Sequence, residues 1–403
     1  MSQNQFSWAV AANLIGGCFG CLITGLIRNK FGTKISIYIF CVPSFCGWIL
    51  LTFSFNWWMV ILGRFIIGIA ASSFNFNVLV YIGECASKEI RGILLSFFEM
   101  SLKFGILFSY VIGSFTKQQV TNAVCASIVI FYAISFSFLP ESPLYLMKQH
   151  KAEKAKKSLI RLRGSNFKID DEMTNLKEEI EELERTKKPF WQELSIKATR
   201  KAFFILIAMF FFFQMCGINA IVYYTTIIFI ESGLTIDPFI ATCILGIIQV
   251  VSISCTLAFV DRCGRKPLLI ISNAVMIFGL FGFGIYFHIK ENINVSGFEL
   301  LPLFMLGIFM IGFSIGVGNV TFVLMGEMFS LNAKRFFGPL TQFMNYLTSF
   351  SIAIFFPLVA NSIGMHFAFY FFGLCCIFAI IFIIFILPET KGKTLVEIQK
   401  LLS

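Results

Sequence analysis

The sequence predicts an all-α, polytopic membrane protein built from two similar helical halves. Three observations carry this. First, 57% of the 403 residues are hydrophobic and only 13% are charged, a balance unlike that of a soluble domain. Second, the apolar residues gather into runs of about 20, the length a helix needs to cross a ~30 Å hydrocarbon core. Third, the chain repeats itself. A basic loop (Arg28-Asn29-Lys30-Phe31-Gly32-Thr33-Lys34, then Asp261-Arg262-Cys263-Gly264-Arg265-Lys266), a Gly-Glu pair (Gly83-Glu84, then Gly326-Glu327) and a Pro-Glu segment (Pro140-Glu141-Ser142-Pro143, then Pro388-Glu389-Thr390-Lys391-Gly392) each recur roughly 240 residues apart.

Eleven runs are read as spanning helices, because only helices and closed barrels satisfy the backbone in lipid and the runs lack the alternation of barrel strands. The first, 7–27, follows a polar stub without the basic region of a signal peptide. The second, 35–54, follows the first basic loop. The third, 57–80, opens on Trp57-Trp58, which fits an interfacial aromatic belt or a core position. The fourth, 92–115, carries Glu99 and Lys103, and the fifth, 122–139, ends at Pro140. Residues 144–201 hold about half of all Lys and Arg. Within them Leu176, Ile180 and Leu183 recur at helical spacing among glutamates, and Asp170-Asp171 suits a helix start, so 170–188 reads as an amphipathic helix. A purely solvated linker is the alternative. Six further runs follow: 202–222, 238–259, 267–288, 300–325, 338–360 and 365–387. The expected units are therefore a first bundle at 1–143, a cytoplasmic helical linker at 144–201, a second bundle at 202–390 and a tail at 391–403.

The net charge of +10 is topological. Lys and Arg collect at 28–34, 88–91, 148–201, 262–266, 334–335 and 391–400, while the intervening loops carry few. The positive-inside rule places the rich loops, and the C-terminus, in the cytoplasm. This pattern accounts for the charge better than nucleic-acid binding does. Five spans precede the linker and six follow it, so one span is expected to be absent ahead of Met1, through an incomplete sequence or a shortened isoform. The loop after 267–288 falls outside and contains a glycosylation sequon, Asn294-Val295-Ser296; Asn319-Val320-Thr321 also matches but falls in a span. The twelve cysteines lie mostly in spans; Cys18-Phe19-Gly20-Cys21 reads as small packing residues. His150, His288 and His366 lie in separate regions and form no ligand cluster. No metal, cofactor or catalytic constellation is expected.

A polar group buried in lipid costs several kcal/mol unless it is partnered or faces water, so the intramembrane polar residues are the candidates for function. Glu99 and Lys103 sit one turn apart in the favourable order. They are either a self-neutralising pair beside a cavity or a direct contact for a substrate or proton. Gln214, Cys216, Gly217, Asn219, Tyr223 and Tyr224 interrupt an intensely apolar run, and their amides and hydroxyls suit a neutral polyhydroxyl ligand better than an ion. Gln249, Ser314, Asn319, Asn345 and Tyr346 are similar isolated groups. For each alone, helix–helix hydrogen bonding is the competing reading. Glu84 with Arg91, and Glu327 with Lys334 or Arg335, follow span ends on the basic side, opposite Asp261, Arg262, Arg265 and Lys266; these can form ion pairs that latch the inner side closed.

At these residues the chain resembles the sugar porter family of the major facilitator superfamily, on Leu62-Gly63-Arg64-Phe65-Ile66-Ile67-Gly68, Tyr81-Ile82-Gly83-Glu84 through Arg91-Gly92, Pro140-Glu141-Ser142-Pro143, Gly217-Ile218-Asn219-Ala220, Asp261-Arg262-Cys263-Gly264-Arg265-Lys266 and Pro388-Glu389-Thr390-Lys391-Gly392. The resemblance implies two six-helix bundles with alternating access around a central sugar site, and makes the absent span the family's first. By matching motif it implies sugar-binding positions at Glu99, Gln214, Asn219, Gln249 and Asn345, beside which Tyr223 and Tyr346 are candidates, and an inner gate at Arg64, Glu84, Arg91, Asp261, Arg265 and Glu327.

The chain departs from the family at several points. The glutamine of the first half is Glu99, and the paired glutamines before Gly-Ile-Asn are Phe213-Gln214. The proline-rich stretch before the second Gly-Glu is Asn319-Val320-Thr321-Phe322, without the prolines that normally soften this part of the span 300–325. The acid and first arginine of the first basic loop are Asn29 and Thr33. The expectation is a plasma-membrane carrier of a hexose or trehalose, acting down the sugar's gradient in a lipid bilayer. The rivals are a non-transporting sugar sensor, a proton-coupled symporter using Glu99, and a non-functional fragment.

Overall fold

The computed structural model describes residues 2–87, 90–164, 169–185, 188–259, 263–292, 297–393 and 395–402. Among these there are helices and no strand. The first half runs α1 (Gln3–Phe31), α2 (Thr33–Thr52), α3 (Trp57–Cys85), α4 (Arg91–Phe115) and α5 (Gln118–Ser137). Four short helices follow, α6 (Pro143–Lys148), α7 (Ala152–Arg163), α8 (Ile169–Arg185) and α9 (Phe190–Ser195). The second half runs α10 (Lys197–Met215), α11 (Ile218–Ser232), α12 (Pro238–Phe259), α13 (Arg265–Asn292), α14 (Leu301–Ile315), α15 (Val317–Met328), α16 (Leu331–Ser362) and α17 (Met365–Phe385), with α18 (Leu395–Leu402) in the tail. Among the described residues, eleven helical stretches are long and apolar enough to cross a membrane, α10 with α11 and α14 with α15 each making one of them. They match the eleven apolar runs in order. Most extend further, because an apolar run marks the thickness of hydrocarbon to be crossed and the helix continues into polar residues beyond it.

The two broken spans have local causes. Between α10 and α11, Gly217 adopts φ +84°, a left-handed conformation that an L side chain rarely takes, and a Cβ there would come within 2.4 Å of the Phe372 ring. Between α14 and α15 the break falls at Gly316, where a Cβ would meet the Leu268 carbonyl at 2.6 Å. Ser272 fills this break: its hydroxyl donates to the Gly312 carbonyl at 2.6 Å and accepts the Val317 N–H at 2.9 Å. The absence of proline beyond Pro302 in this span therefore does not leave an unbroken helix. A serine from α13 supplies the partner that the interrupted ladder needs.

Within the first half α3 packs on α1 and α2, and α2 on α5; within the second, α13 packs on α14 and α17, and α10 on α16. The halves meet along α1–α16 and α4–α12. The larger apolar core lies in the second half, around the fully buried Phe210, Phe229, Phe283, Phe309, Phe313 and Phe369. By contrast, α4 meets α12 on one side, and none of its described side chains is buried.

The basic ends of the halves are built alike, by an exchange of caps. Glu141 accepts the Lys34 N–H at 3.1 Å, at the start of α2, and Glu389 accepts the Arg265 and Lys266 N–H groups at 2.9 and 3.0 Å, at the start of α13. In return Lys34 Nζ donates to the carbonyls of Ser137 (2.9 Å) and Leu139 at the end of α5, and Lys266 Nζ to Ile384 at 2.6 Å near the end of α17. Each exchange satisfies donors at one helix start and acceptors at another helix end, which otherwise lack partners. The linker docks by the same chemistry: Arg161 donates to Phe138 O at 2.7 Å, just past the end of α5, and Arg163 to Cys85 O at 2.8 Å, at the end of α3. Arg163 also forks onto Glu172 of α8 (2.8 Å), which ties α7 and α8 together.

One reading of the sequence is corrected here. His288 and His366 are far apart along the chain, yet their ring centroids lie 5.0 Å apart, because α13 ends and α17 begins at the same end of the second half. Asp261 and Asn294 lie outside the described residues, as does the side chain of Arg91.

Candidate functional site

The break at Gly217 sets α11 off from α10 and places Gln214 and Asn219 on either side of it. A chain of side-chain amides runs from there. Asn219 Nδ2 donates to Gln214 Oε1 at 2.8 Å, Gln214 Nε2 to Asn345 Oδ1 at 2.6 Å, and Asn345 Nδ2 to Gln342 Oε1 at 3.3 Å. Asn219 also donates to the Ser349 hydroxyl at 2.6 Å. Gln214, Asn345 and Ser349 are buried. Of the candidates, Gln214, Asn219 and Asn345 are thus brought into direct contact. Gln342 and Ser349 were missed by sequence reasoning, although their spacing from Asn345 along α16 puts the three on one face.

The remaining candidates stand around this chain rather than in it. Gln249, buried on α12, lies 3.6 Å from Met310 Sδ. Glu99 and Lys103 interact one turn apart on α4, and Lys103 Nζ reaches across to the second half, 5.6 Å from the centroid of Phe313. Phe313 packs edge-on to Phe213 at 5.3 Å, and Phe213 to Phe322 at 5.6 Å. The phenylalanine preceding Gln214 thus joins an aromatic row that runs from Phe322 to the Phe313 ring under Lys103. Tyr346 turns away from Asn345 toward α1, where a Cβ on Gly17 would lie 2.6 Å from its ring. Tyr223 stands beside Asn13 of α1 and within electrostatic reach of Arg64. Ser314 and Asn319 are used locally, donating to Met310 O at 2.9 Å and Ser314 O at 3.5 Å.

The gate expected from the sequence divides into three parts. Arg64 does not belong with Glu84: both are on α3, about 30 Å apart at 1.5 Å per residue, and Arg64 lies near the end remote from the basic loops. Glu327 is held by Arg265 (Nη2 at 3.0 Å, Nε at 3.2 Å) and by the Thr390 hydroxyl at 2.6 Å. This cluster joins α13, α15 and the Pro-Glu segment of one half, so it stiffens that half and does not bridge the two. In the first half, Thr33 stands where Arg265 stands in the second, and Glu84 accepts a hydrogen bond from it at 3.3 Å. A charged fork at Glu327 is matched at the same position of the first half by a long hydroxyl contact to Glu84, with Arg28 within electrostatic reach. Arg335 lies over its neighbour Phe336 at 5.5 Å.

Contacts between the halves are dense at the end remote from the basic loops. Phe6 meets Tyr224 edge-on at 5.6 Å, and Val10 and Leu14 pack with Ala353, Tyr223 and Phe350. Tyr110 donates to Val222 O at 3.1 Å, and Cys18 Sγ lies 3.9 Å from Phe343 O. Further along the same α1 face, beside Gly25, a Cβ would meet nothing within 4 Å.

The chain matches the family described as "Sugar (and other) transporter" over residues 1–402. It is 31% identical to the facilitated trehalose transporter Tret1 of Bombyx mori, across all of this chain and 80% of that one. It is 32% identical to the protein of the same name from Apis mellifera ligustica, across 99% of this chain and 80% of that one. In structure it resembles the xylose transporter XylE from E. coli in its partially occluded inward open conformation, with a TM-score of 0.83, 23% identity and coverage of 97% of this chain and 89% of that one.

Proposed function

Because the chain belongs to the Sugar (and other) transporter family and is a multi-pass membrane protein that transports sugar, we propose that it carries a hexose or trehalose down its gradient across the plasma membrane, with Gln214, Asn219 and Asn345 as the groups that hold the sugar. The observation that carries this reading is the chain of uncharged amides at the α10–α11 break. Each amide offers both a donor and an acceptor, which matches hydroxyl groups that both donate and accept, and none brings a charge that would favour an ion. Facilitated movement agrees with the similarity to facilitated trehalose transporters, and with a Glu99 that has Lys103 one turn away. Gln249, Tyr223 and Tyr346 would line the path beside the amides.

Access is proposed from the basic side, which the positive-inside rule assigns to the cytoplasm together with the C-terminus. The packing of α1 on α16 at the far end, and the open space beside Gly25, support an inward-facing arrangement. A second reading, proton coupling through Glu99, is favoured by one observation, the position of the Glu99–Lys103 pair where α4 reaches the second half.

Uptake of radiolabelled trehalose and glucose into proteoliposomes, with and without an imposed pH gradient, tests these readings. Equal final concentrations inside and out, unaffected by the gradient and by Glu99→Gln, are expected. Accumulation driven by the gradient and lost in Glu99→Gln would replace facilitation with coupling. Saturable binding without flux would make the chain a sensor, and neither binding nor flux would overturn the transport reading.

A further inference from the structure

At the end of the second half remote from the basic loops, α13 finishes and α17 begins, and their side chains form a cluster that sugar transport does not use. His288 and Glu291 share the last turn of α13, and His366 lies in the first turn of α17. One ligand-capable atom of each lies within 4.8 Å of the others. His366 Nδ1 stands 2.7 Å from Glu291 Oε1. That contact lacks the direction of a hydrogen bond, and the buried Nδ1 has no hydrogen-bond partner. His366 is 93% buried at 7% exposure, whereas His288 and Glu291 open to the outside. The cluster is held tightly from behind by Gly364, φ +116°, where a Cβ would come within 2.8 Å of the His366 ring and 3.2 Å of Glu291 Oε1.

We propose that His288, Glu291 and His366 bind a divalent transition-metal cation of the zinc class, clamping α13 to α17 at this end. Two imidazoles and one carboxylate with a fourth position open to water are a ligand set that zinc takes, and one that calcium and magnesium, which prefer all-oxygen sites, do not. Tetrahedral ligands at 2.0–2.1 Å from zinc stand about 3.3 Å apart, between the 2.7 Å of the His366–Glu291 contact and the 4.8 Å limit of the cluster. Side-chain rotation closes the difference, since two of the three ligands are exposed. The partial negative charge at the C-terminus of α13 favours a cation and offsets the opposite charge at the start of α17.

The test is isothermal titration of the detergent-purified full chain with ZnCl2, alongside thermal unfolding with and without the metal. Saturable binding with one high-affinity site is expected, together with a rise in melting temperature. His288→Ala, in which an exposed residue is replaced and the fold is kept, weakens binding at least tenfold, as does His366→Ala. Glu291→Gln weakens it too, and CaCl2 and MgCl2 produce no comparable heat. The metal-free melting temperature of His288→Ala matches that of the unsubstituted protein, which separates loss of a ligand from loss of the fold. Absence of saturable zinc binding, or zinc affinity retained by either histidine variant, overturns the proposal. The second outcome would assign the metal to cysteines elsewhere.

Discussion

Replacing Asn345 with alanine removes the acceptor on which Gln214 rests, 2.6 Å from its Nε2. Gln214 is only 3% exposed, so bulk solvent does not take over the lost bond. It either keeps its place with a buried donor unsatisfied or rotates and withdraws the acceptor that Asn219 uses at 2.8 Å. A buried group left unpaired costs about 1–3 kcal/mol, and a water admitted to the vacated space brings the cost toward the lower figure. If these amides hold the sugar, Asn345→Ala raises KM about 5- to 150-fold, at 1.4 kcal/mol per factor of ten. A double-mutant cycle with Gln214→Ala isolates the link. Because each substitution breaks the same contact, the double variant is expected to lose less than the sum of the two by about 1 kcal/mol or more. The assay is radiolabelled sugar uptake in proteoliposomes for the four proteins, normalised to transporter content. Additivity within about 0.3 kcal/mol, or a KM unchanged in Asn345→Ala, would refute the argument that one connected amide chain presents itself to the substrate.

Three further outcomes follow from the structure. Glu327→Gln removes the charge that Arg265 grips at 3.0 Å; with Arg265 14% and Glu327 27% exposed, the cost is roughly 1–2 kcal/mol, seen as a fall of a few degrees in melting temperature. Arg265→Lys keeps the charge but loses the fork, so it falls between the two. Gly217→Ala combines a left-handed backbone with a Cβ 2.4 Å from Phe372, and it lowers the melting temperature more than an alanine placed at Gly105, where a Cβ meets nothing within 4 Å. The two Pro-Glu carboxyls titrate in opposite senses. Burial pushes Glu389 up, but four backbone N–H donors outweigh it and hold the carboxyl below the usual range, while burial keeps Glu141 above that range despite the N–H groups of Lys34 and Ser142. A lowered carboxyl contributes stability that is present above its unfolded value and lost as pH falls through its folded one; a raised carboxyl destabilises once pH climbs above the unfolded value. Glu389→Gln therefore lowers stability at pH 7 and flattens its decline below about pH 4.5, whereas Glu141→Gln costs less at pH 7, as thermal unfolding followed from neutral pH down through the carboxylate range would show.

What the sequence made legible was whatever depends on composition along the helix axis. The eleven spans, the twin halves and the helix at 169–185 follow from runs, repeats and spacing, and Gln214, Asn219 and Asn345 stood out because amides are costly in lipid. Rotation about an axis and the choice of neighbour were not legible. Tyr346 follows Asn345 directly, yet one faces α1 and the other α10. Ser272 reads as an ordinary small residue until Gly316 opens beside it. Arg64 was grouped with Glu84 by motif, although the length of α3 keeps them at opposite ends. The pairing of His288 with His366 arises from where two distant helices end, and no local pattern announces it.

Lys34 and Lys266 are counted by the insertion machinery as signs of orientation, and by α5 and α17 as plugs for their last carbonyls. Address and mortar are thus the same ammonium groups. Shifting either lysine by one position would leave the charge tally of its loop intact and still unseal a helix end. The two properties would then separate experimentally: the protein would thread the bilayer the right way round and arrive loosened at its rim.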